Sequence, residues 1–566
     1  MVFWNLYFIT KIILAINGTM SLAYGLNIAL LILVATKHRT LRVRRFNLFS
    51  LLIEVGVLMP AGLFLALHEF GLVVNLTLVQ QIVNLTGFSQ AYLIELAQRT
   101  FEPEMLWAGL FGLIVLRIFN RYIRLTAWTL VLLIGTATAT SIREYQADQL
   151  ANSARAVSPD ESLIRSGSFA AERLALSPDE FARLKEVRDR EAQSKDEAKG
   201  GPDDILRKFY EDQRLKIIDG FLSPKAAPDF DVIVLHVCSM AWADIQASKL
   251  SAHPVLTQAD LVLKQFNTVS SYSGPATLRF LRSNCGQGLQ KDLYSPLNAQ
   301  CGLYNSLRLS GFRVQMGMNH DGAFDQYRTS VLKNLPDGVE DAISHKSVPL
   351  GAKAFDGSQL ARDEDYLNTW WAARLRKPEV PVAYYYNTIS LHDGNSLPGS
   401  STGSLASYPI RLERLLDDFQ AFIQTLKKSE RKVLLMIVPE HGAGLTGEYG
   451  QLPGLREIPS PAITLAPVLG YWIDPEYTRN PEYSYPIVVK QPTSYLAVSE
   501  FISRWLKLPT PARSKPAWPL IVGDLPTTPF VAEEGEIMVL EQQNQYWIKA
   551  PGASWEPLTN TNKASQ

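Results

Sequence analysis

Hydrophobic and polar positions change their rhythm twice along this chain. Up to about residue 142 the apolar residues come in long runs, at 3–16, 22–35, 46–67, 105–119 and 125–142. These predict a bundle of about five transmembrane helices. Several runs are shorter than the ~20 residues of a full span, and the first contains Lys11. Residues 143–225 are rich in Ala, Glu, Arg, Lys and Ser, with no apolar run long enough for a strand. Within them, Ser158-Pro159-Asp160-Glu161 and Ser177-Pro178-Asp179-Glu180 read as capping boxes with Pro at the first helical position. This stretch is therefore expected to be a charged, partly helical tether, with flexible linkage as the alternative. From Pro228 the pattern changes again. Short β-rich runs at 232–237, 382–387, 433–438 and around 463–471 alternate with amphipathic helical patterns such as 276–283 and 410–429. That alternation predicts an α/β domain with a mostly parallel central sheet over residues 226–566. Runs 536–540 and 545–549 flank a polar turn and predict a terminal hairpin.

Composition adds little until the charges are located. The chain holds 55 Lys+Arg and 55 Asp+Glu among 566 residues, with three cysteines. Such totals exclude a disordered chain, a collagen-like repeat and a disulfide-dense miniprotein. The balanced charge argues against a nucleic-acid binder. Between the apolar runs, however, charges sort by sign. Lys37, Arg39, Arg42, Arg44 and Arg45 form one basic segment, and Arg117, Arg121 and Arg124 another. The loop between the third and fourth runs holds Glu69, Glu95, Glu102 and Glu104 against Arg99. Basic flanks mark the cytoplasmic side, so everything after about Arg143 is expected outside. A cleaved signal peptide competes as a reading of the first run. The second run follows at once with no clear cleavage site, which favours an uncleaved anchor. Glu54 lies inside the third run; it is either a functional carboxylate or one that pairs with a neighbour, and no role is assigned to it.

Functional groups in open α/β sheets gather at the carboxyl ends of strands. The run 232–237 ends at Cys238, the run 433–438 in Pro439-Glu440-His441-Gly442, and the run 382–387 leads to Thr388, His392 and Asp393. A fourth element, Ser271-Tyr272-Ser273-Gly274-Pro275, precedes a helical pattern. Each has a plainer reading: a buried small hydrophobe for Cys238, a solvated pair for Glu440-His441, an N-cap for Ser273, a surface guanidinium for Arg456. Together they are sharper. Cys, Glu and His suit zinc with a fourth position open, and zinc would lower the hydroxyl pKa of Ser273. A helix N-terminus beside that serine suits a phosphate. His392 could act as an acid/base and Arg456 could clamp a phosphate. Asn319-His320-Asp321-Gly322 reads as a turn, with His320 near the pocket as the lesser option. Cys285 and Cys301 stand 16 positions apart in the segment placed outside. A disulfide between them is the expectation in an oxidising compartment; pairing with Cys238, or none, stays open.

The segments IVLHVCSMAWAD (233–244), SYSGPATLRFLR (271–282), NTISLHDGN (387–395), VPEHG (438–442) and GLREIPSPAIT (454–464) resemble the bacterial cellulose phosphoethanolamine transferases, the G subunits of cellulose synthesis systems. The likeness runs nearly end to end and is most specific in the last three-fifths. It implies an alkaline-phosphatase-like catalytic domain anchored in the bacterial inner membrane and facing the periplasm. It also implies zinc held by Cys238, Ser273, Glu440 and His441, with Ser273 the nucleophile. Tyr272, His392 and Arg456 would be supporting residues and Cys285–Cys301 the disulfide. Relatives that modify lipid A carry a Thr nucleophile and an Asp-His pair; Ser273 and Glu440-His441 depart from that pattern and fit the cellulose-modifying branch. The implied donor is phosphatidylethanolamine, the acceptor cellulose, and the neighbours other subunits of the cellulose synthase complex. Two rivals are a transferase or phosphodiesterase for another envelope glycan or lipid, and a non-catalytic membrane scaffold of a polysaccharide synthase.

Overall fold

The long apolar runs fold as helices. The computed structural model describes residues 1–16, 22–40, 52–69, 87–100, 103–122, 124–155, 200–219, 221, 228–339, 341–400, 402–447, 449, 451 and 453–559. They divide into two compact units, Met1–Thr86 with Leu93–Glu180, and Gly87–Tyr92 with Phe181–Gln566. In the first stretch lie α1 (Val2–Ile16), α2 (Tyr24–Thr40), a π-helical turn (Glu54–Leu58) leading into α3 (Met59–Glu69), α4 (Gln90–Thr100), α5 (Pro103–Tyr122) and α6 (Leu125–Arg155). No helix among the described residues is long and apolar enough to cross a membrane. Five complete spans are therefore not seen among them. α1 and α2 have 15 and 17 residues, short of the ~20 needed at 1.5 Å rise per residue. The second half of α6 is polar. α4 occupies part of what was expected to be an acidic loop.

Two charge pairs, one half-buried and one buried, stand out among the described residues of the first unit. Glu54 accepts from Lys37 Nζ and from Trp4 Nε1 at 2.6 Å, the plainer of its two readings. Lys11 meets Glu69, with Asn27 Oδ1 at 2.7 Å and Tyr7 OH at 3.0 Å.

The two capping boxes expected at 158–161 and 177–180 lie outside the described residues. α7 (Pro202–Arg214) is amphipathic and buries Phe209 and Tyr210 against Val531 and Leu540. The centre is a seven-stranded sheet. Its strands are β1 (Asp231–Val237), β2 (Leu261–Asn267), β3 (Arg313–Met318), β4 (Val382–Thr388), β5 (Val433–Pro439), β6 (Leu465–Ile473) and β7 (Ile487–Thr493), in spatial order β3-β4-β1-β5-β6-β2-β7. β6 pairs antiparallel with both neighbours; the other pairings are parallel. The domain is thus α/β with the mostly parallel sheet expected from its pattern.

β1, β4 and β5 are buried at every position, as strands covered on both faces must be. Val232 and Val234 face a core with α8 (Ser273–Leu281) and α11 (Tyr495–Lys507). Ile233, Leu235 and Val237 face one with α9 (Asp363–Leu375) and α10 (Tyr408–Lys427). Two helical layers therefore clamp the sheet and hold the strand ends rigid. The run expected to begin at 463 starts as a strand only at Leu465, because Pro461 opens a short helix, Pro461–Thr464. The predicted terminal hairpin is the middle of a four-stranded sheet, β8 (Val531–Glu534), β9 (Ile537–Gln542), β10 (Gln545–Lys549) and β11 (Glu556–Pro557).

Candidate metal centre and active site

Register sets the site. His236 of β1 lies between Asn387 of β4 and Val438 of β5, and Val237 lies beside Pro439. One residue further on, Cys238 leaves β1 next to Glu440-His441 leaving β5. Glu440 N donates to Val237 O at 2.8 Å, and Met240 N donates to His441 O at 2.6 Å. Ser273 enters as the first residue of α8, after Tyr272 in extended conformation at the N-cap. Ser273 Oγ is 3.3 Å from Cys238 Sγ and 3.2 Å from His441 Nε2, and Cys238 Sγ is 3.8 Å from that nitrogen. Ligand atoms of Cys238, Glu440 and His441 lie within 4.8 Å of one another. Those three residues are buried, whereas Ser273 is partly exposed, so a substrate can reach the hydroxyl without entering the core.

The two oxygens of Glu440 have different surroundings. Oε1 accepts from Asn387 Nδ2 at 2.6 Å, Tyr327 OH at 3.2 Å and Thr277 Oγ1 at 3.3 Å, with His236 Nδ1 at 3.4 Å. Oε2 is buried with no hydrogen-bond partner among the described residues. An unpaired buried carboxylate oxygen is costly, and this one belongs to the cluster that gathers around Cys238 and His441. His441 Nδ1 faces the Gly442 carbonyl at 2.8 Å. A carbonyl only accepts, so Nδ1 carries the proton and Nε2 offers its lone pair to the cluster.

Protonation follows the same logic. Burial pushes the Cys238 thiol up to about 12, with the Glu440 charge adding to it. Burial pushes Glu440 up to about 7 against its hydrogen bonds. Burial, then Arg456, holds His441 well below the usual imidazole range. The pocket disfavours every charge it could carry by itself, which suits donors that release protons to a divalent cation. One sulfur, one nitrogen and one oxygen match zinc, and Ser273 Oγ stands at the remaining position. The residues present therefore fit the metal.

Around this centre the other expected residues are brought together. Arg456 is buried; its Nη1 donates to Ser239 Oγ at 3.0 Å and its guanidinium lies 5.3 Å over the Tyr272 ring. Tyr272 OH donates to Glu457 Oε1 at 2.7 Å. His392 makes no direct hydrogen bond to Cys238, Ser273, Glu440 or His441 among the described residues. Its Nδ1 donates to the Asp393 carbonyl at 2.6 Å and its ring stacks on Phe355 at 4.1 Å. Burial, then Arg456, pushes it down to about 4, so the imidazole is neutral with Nε2 available. The Asn319–Gly322 segment turns at Gly322 (φ +65°), as expected. It also places His320 behind the site, with Nε2 2.9 Å from Asn387 Oδ1. Cys285 and Cys301 form a disulfide with Cα atoms 4.9 Å apart, leaving Cys238 as the free thiol.

Several supporting residues were not anticipated. Asn387 is the penultimate residue of β4 and falls under the strand-end rule, which could have found it. Thr277 and Tyr327 carry no such signal. Ser239 adopts φ 61°, a conformation costing a non-glycine residue on the order of 1–3 kcal/mol at a functional turn. Asp244 Oδ2 accepts from Ala241 N at 2.9 Å and Ala443 N at 2.8 Å, tying the loop after β1 to the loop after β5. Gly442 permits that approach: a Cβ there would lie 2.7 Å from Ala241 Cβ and 2.8 Å from Asp244 Oδ2.

Two family models match this chain. The model described as Cellulose biosynthesis protein BcsG N-terminal domain covers residues 4–138, and that of the BcsG C-terminal domain covers 186–555. The chain belongs to the BcsG family. The BcsG protein of Salmonella typhimurium is 31% identical over 565 residues, covering 98% of this chain and 95% of that relative. The Escherichia coli K12 protein is 31% identical over 558 residues, with the same coverage. Solved structures are remote. A protein in the alkaline phosphatase superfamily from Vibrio parahaemolyticus has a TM-score of 0.45 at 12% identity, covering 62% of this chain and 87% of that one. The C-terminal periplasmic domain of EptC from Escherichia coli has a TM-score of 0.39 at 13% identity, covering 58% and 96%. Nothing about the site rests on these two.

Proposed function

We propose that this member of the family is a zinc-dependent phosphoethanolamine transferase of the bacterial inner membrane, acting in the periplasm to move phosphoethanolamine from phosphatidylethanolamine to hydroxyls of cellulose. The observation that carries the reading is the convergence of Cys238, His441 and the unpartnered Glu440 Oε2 on the partly exposed Ser273 hydroxyl. The motif resemblance supports phosphoethanolamine as the group moved. Relatives named as cellulose biosynthesis proteins support cellulose as the acceptor and cellulose synthase subunits as neighbours. Sorted charges near the apolar runs and the Cys285–Cys301 bridge support an outward-facing, oxidising compartment.

Zinc bound by Cys238, Glu440, His441 and Ser273 would favour the Ser273 alkoxide and offset charge on the phosphoryl group. Ser273 Oγ attacks phosphorus; a P–O bond to serine forms, the P–O bond to diacylglycerol breaks, and diacylglycerol leaves with a proton. A primary glucan hydroxyl then attacks the phosphoserine, its proton passing to His392 Nε2, and the P–O bond to Ser273 breaks. Arg456 and the first amides of α8 hold phosphate oxygens, and Tyr272 braces Arg456. Most of the rate comes from such positioning and charge stabilisation.

The test is incubation of the full chain with phosphatidylethanolamine and cello-oligosaccharides. Diacylglycerol and a phosphoethanolamine-bearing sugar are expected, and neither with Ser273→Ala. Lipid turnover without a modified sugar would remove cellulose as acceptor. Full activity of the alanine variant would remove Ser273 as nucleophile.

A further inference from the structure

Gly87–Tyr92 belong to the same compact unit as the α/β domain, although in sequence they lie between two of the N-terminal apolar runs. Ser89 N donates to Phe355 O at 2.9 Å. Phe88 stacks on Phe324 at 5.8 Å and meets Phe355 edge-on at 5.7 Å. The Tyr92 hydroxyl donates to Asp393 Oδ2 at 2.7 Å, while Ser404 Oγ donates to the other oxygen at 2.5 Å. Gly394 (φ +83°) makes room for this: a Cβ there would lie 2.8 Å from the Tyr92 ring and 2.7 Å from Phe355 Cβ.

Phe355 and Asp393 also both contact the His392 ring. The imidazole face stacks on Phe355, and Nδ1–H is taken by the Asp393 carbonyl. Each support is gripped from behind by the 88–92 segment, one by aromatic packing and a backbone hydrogen bond, the other by a buried hydroxyl. An Asp393 carboxylate already satisfied by Ser404 and Tyr92 keeps its peptide in place for His392. Simple core packing would not call for a phenol hydroxyl aimed at a buried carboxylate.

We propose that Phe88 and Tyr92 are positioning residues of the active site, fixing His392 through Phe355 and Asp393, so that a segment lying in sequence between two N-terminal apolar runs supplies part of the catalytic wall. This rests on the reaction proposed above, with His392 as the proton acceptor. A misplaced proton acceptor costs rate more than ground-state binding.

The experiment uses the full chain with phosphatidylethanolamine and cello-oligosaccharides, comparing Tyr92→Phe, Phe88→Leu, His392→Ala and the Tyr92→Phe/His392→Ala double variant. Tyr92→Phe is expected to lower kcat about tenfold with KM unchanged, and Phe88→Leu several-fold. Added to His392→Ala, Tyr92→Phe should cost nothing more, because both changes act through one group. A wild-type kcat for Tyr92→Phe, or losses that multiply in the double variant, would overturn the proposal. A readout independent of activity is the NMR signal of isotope-labelled His392, assigned by its loss in His392→Ala. It should move in Tyr92→Phe while other histidine signals hold; an unmoved signal overturns the positioning role. A wild-type chain that forms no modified sugar overturns the reaction, and the histidine signal then decides the positioning by itself.

Discussion

Glu440 shows how one side chain can be prepared for a cation by giving its two oxygens opposite treatment. Three donors crowd Oε1 and leave Oε2 unpartnered. Removing the shortest of these bonds with Asn387→Ala should weaken zinc binding about 10–100-fold, the usual cost of losing a partner that orients a ligand. Competition with a chromophoric chelator would measure it, and unchanged affinity would show that Thr277 and Tyr327 suffice. The proton ledger supplies a second prediction. Glu440 is raised to about 7 in the fold, above its ordinary value near 4.5. The metal-free fold therefore binds more protons than the unfolded chain between those values, and its stability falls as pH rises through that window. Bound zinc replaces the proton and removes the loss. The melting-temperature gap between zinc-loaded and chelated protein should widen from pH 5 to pH 8; a gap that narrows would contradict the donor set. Cys238, Ser273 and Glu440-His441 were legible from sequence because strand ends and a helix start are local signals. Thr277 and Tyr327 were not, since what makes them matter is a contact with Glu440, 163 and 113 residues away.

At the level of elements, the helix that carries Ser273 is held at both ends by parts of the chain far away in sequence. Ahead of it, Ser271 N and Oγ donate to Glu534 of β8 at 3.0 and 3.2 Å, and Arg279 within it pairs with Glu533 at 2.9 Å. Glu534→Ala should lower kcat several-fold by loosening the approach to Ser273, with zinc content unchanged by metal analysis. Loss of the metal as well would mean that the terminal sheet supports the whole fold rather than this helix. Just past the helix, the Cys285–Cys301 bridge closes a loop with a separation of 16. Reduction should lower the unfolding free energy by about 3 kcal/mol, read from denaturant midpoints with and without dithiothreitol. The strands that sequence pattern revealed, β1, β4 and β5, are buried along their whole length and read as unbroken apolar runs. β2, β3 and β7 escaped because Lys264, Gln315 and Lys490 interrupt them. Such strands meet solvent along part of their length, and β2 also carries a register shift.

For the whole molecule, residues 87–92 lie in sequence among the N-terminal apolar runs yet belong to the unit that carries the chemistry. A chain lacking residues 1–142 should lose transfer even from a soluble short-chain phosphoethanolamine donor, where membrane anchoring no longer matters. Full activity on that donor would limit the N-terminal region to anchoring. The helical character of that region was legible in its apolar runs, whereas the docking of Phe88 and Tyr92 on the domain was not, because aromatic residues in a polar stretch look like any loop. The order of strands in the central sheet has one more consequence, which concerns time. β1 is the first strand made, yet both its neighbours, β4 and β5, come from residues 382–388 and 433–439. Cys238 therefore waits 203 residues for His441, and contacts of such long range close late and slowly. Until residues 382–388 have been synthesised β1 has no sheet neighbour, and its second arrives only with residues 433–439. A growing chain thus holds an unpaired first strand until β4 is made, and the metal site cannot close before His441 is added.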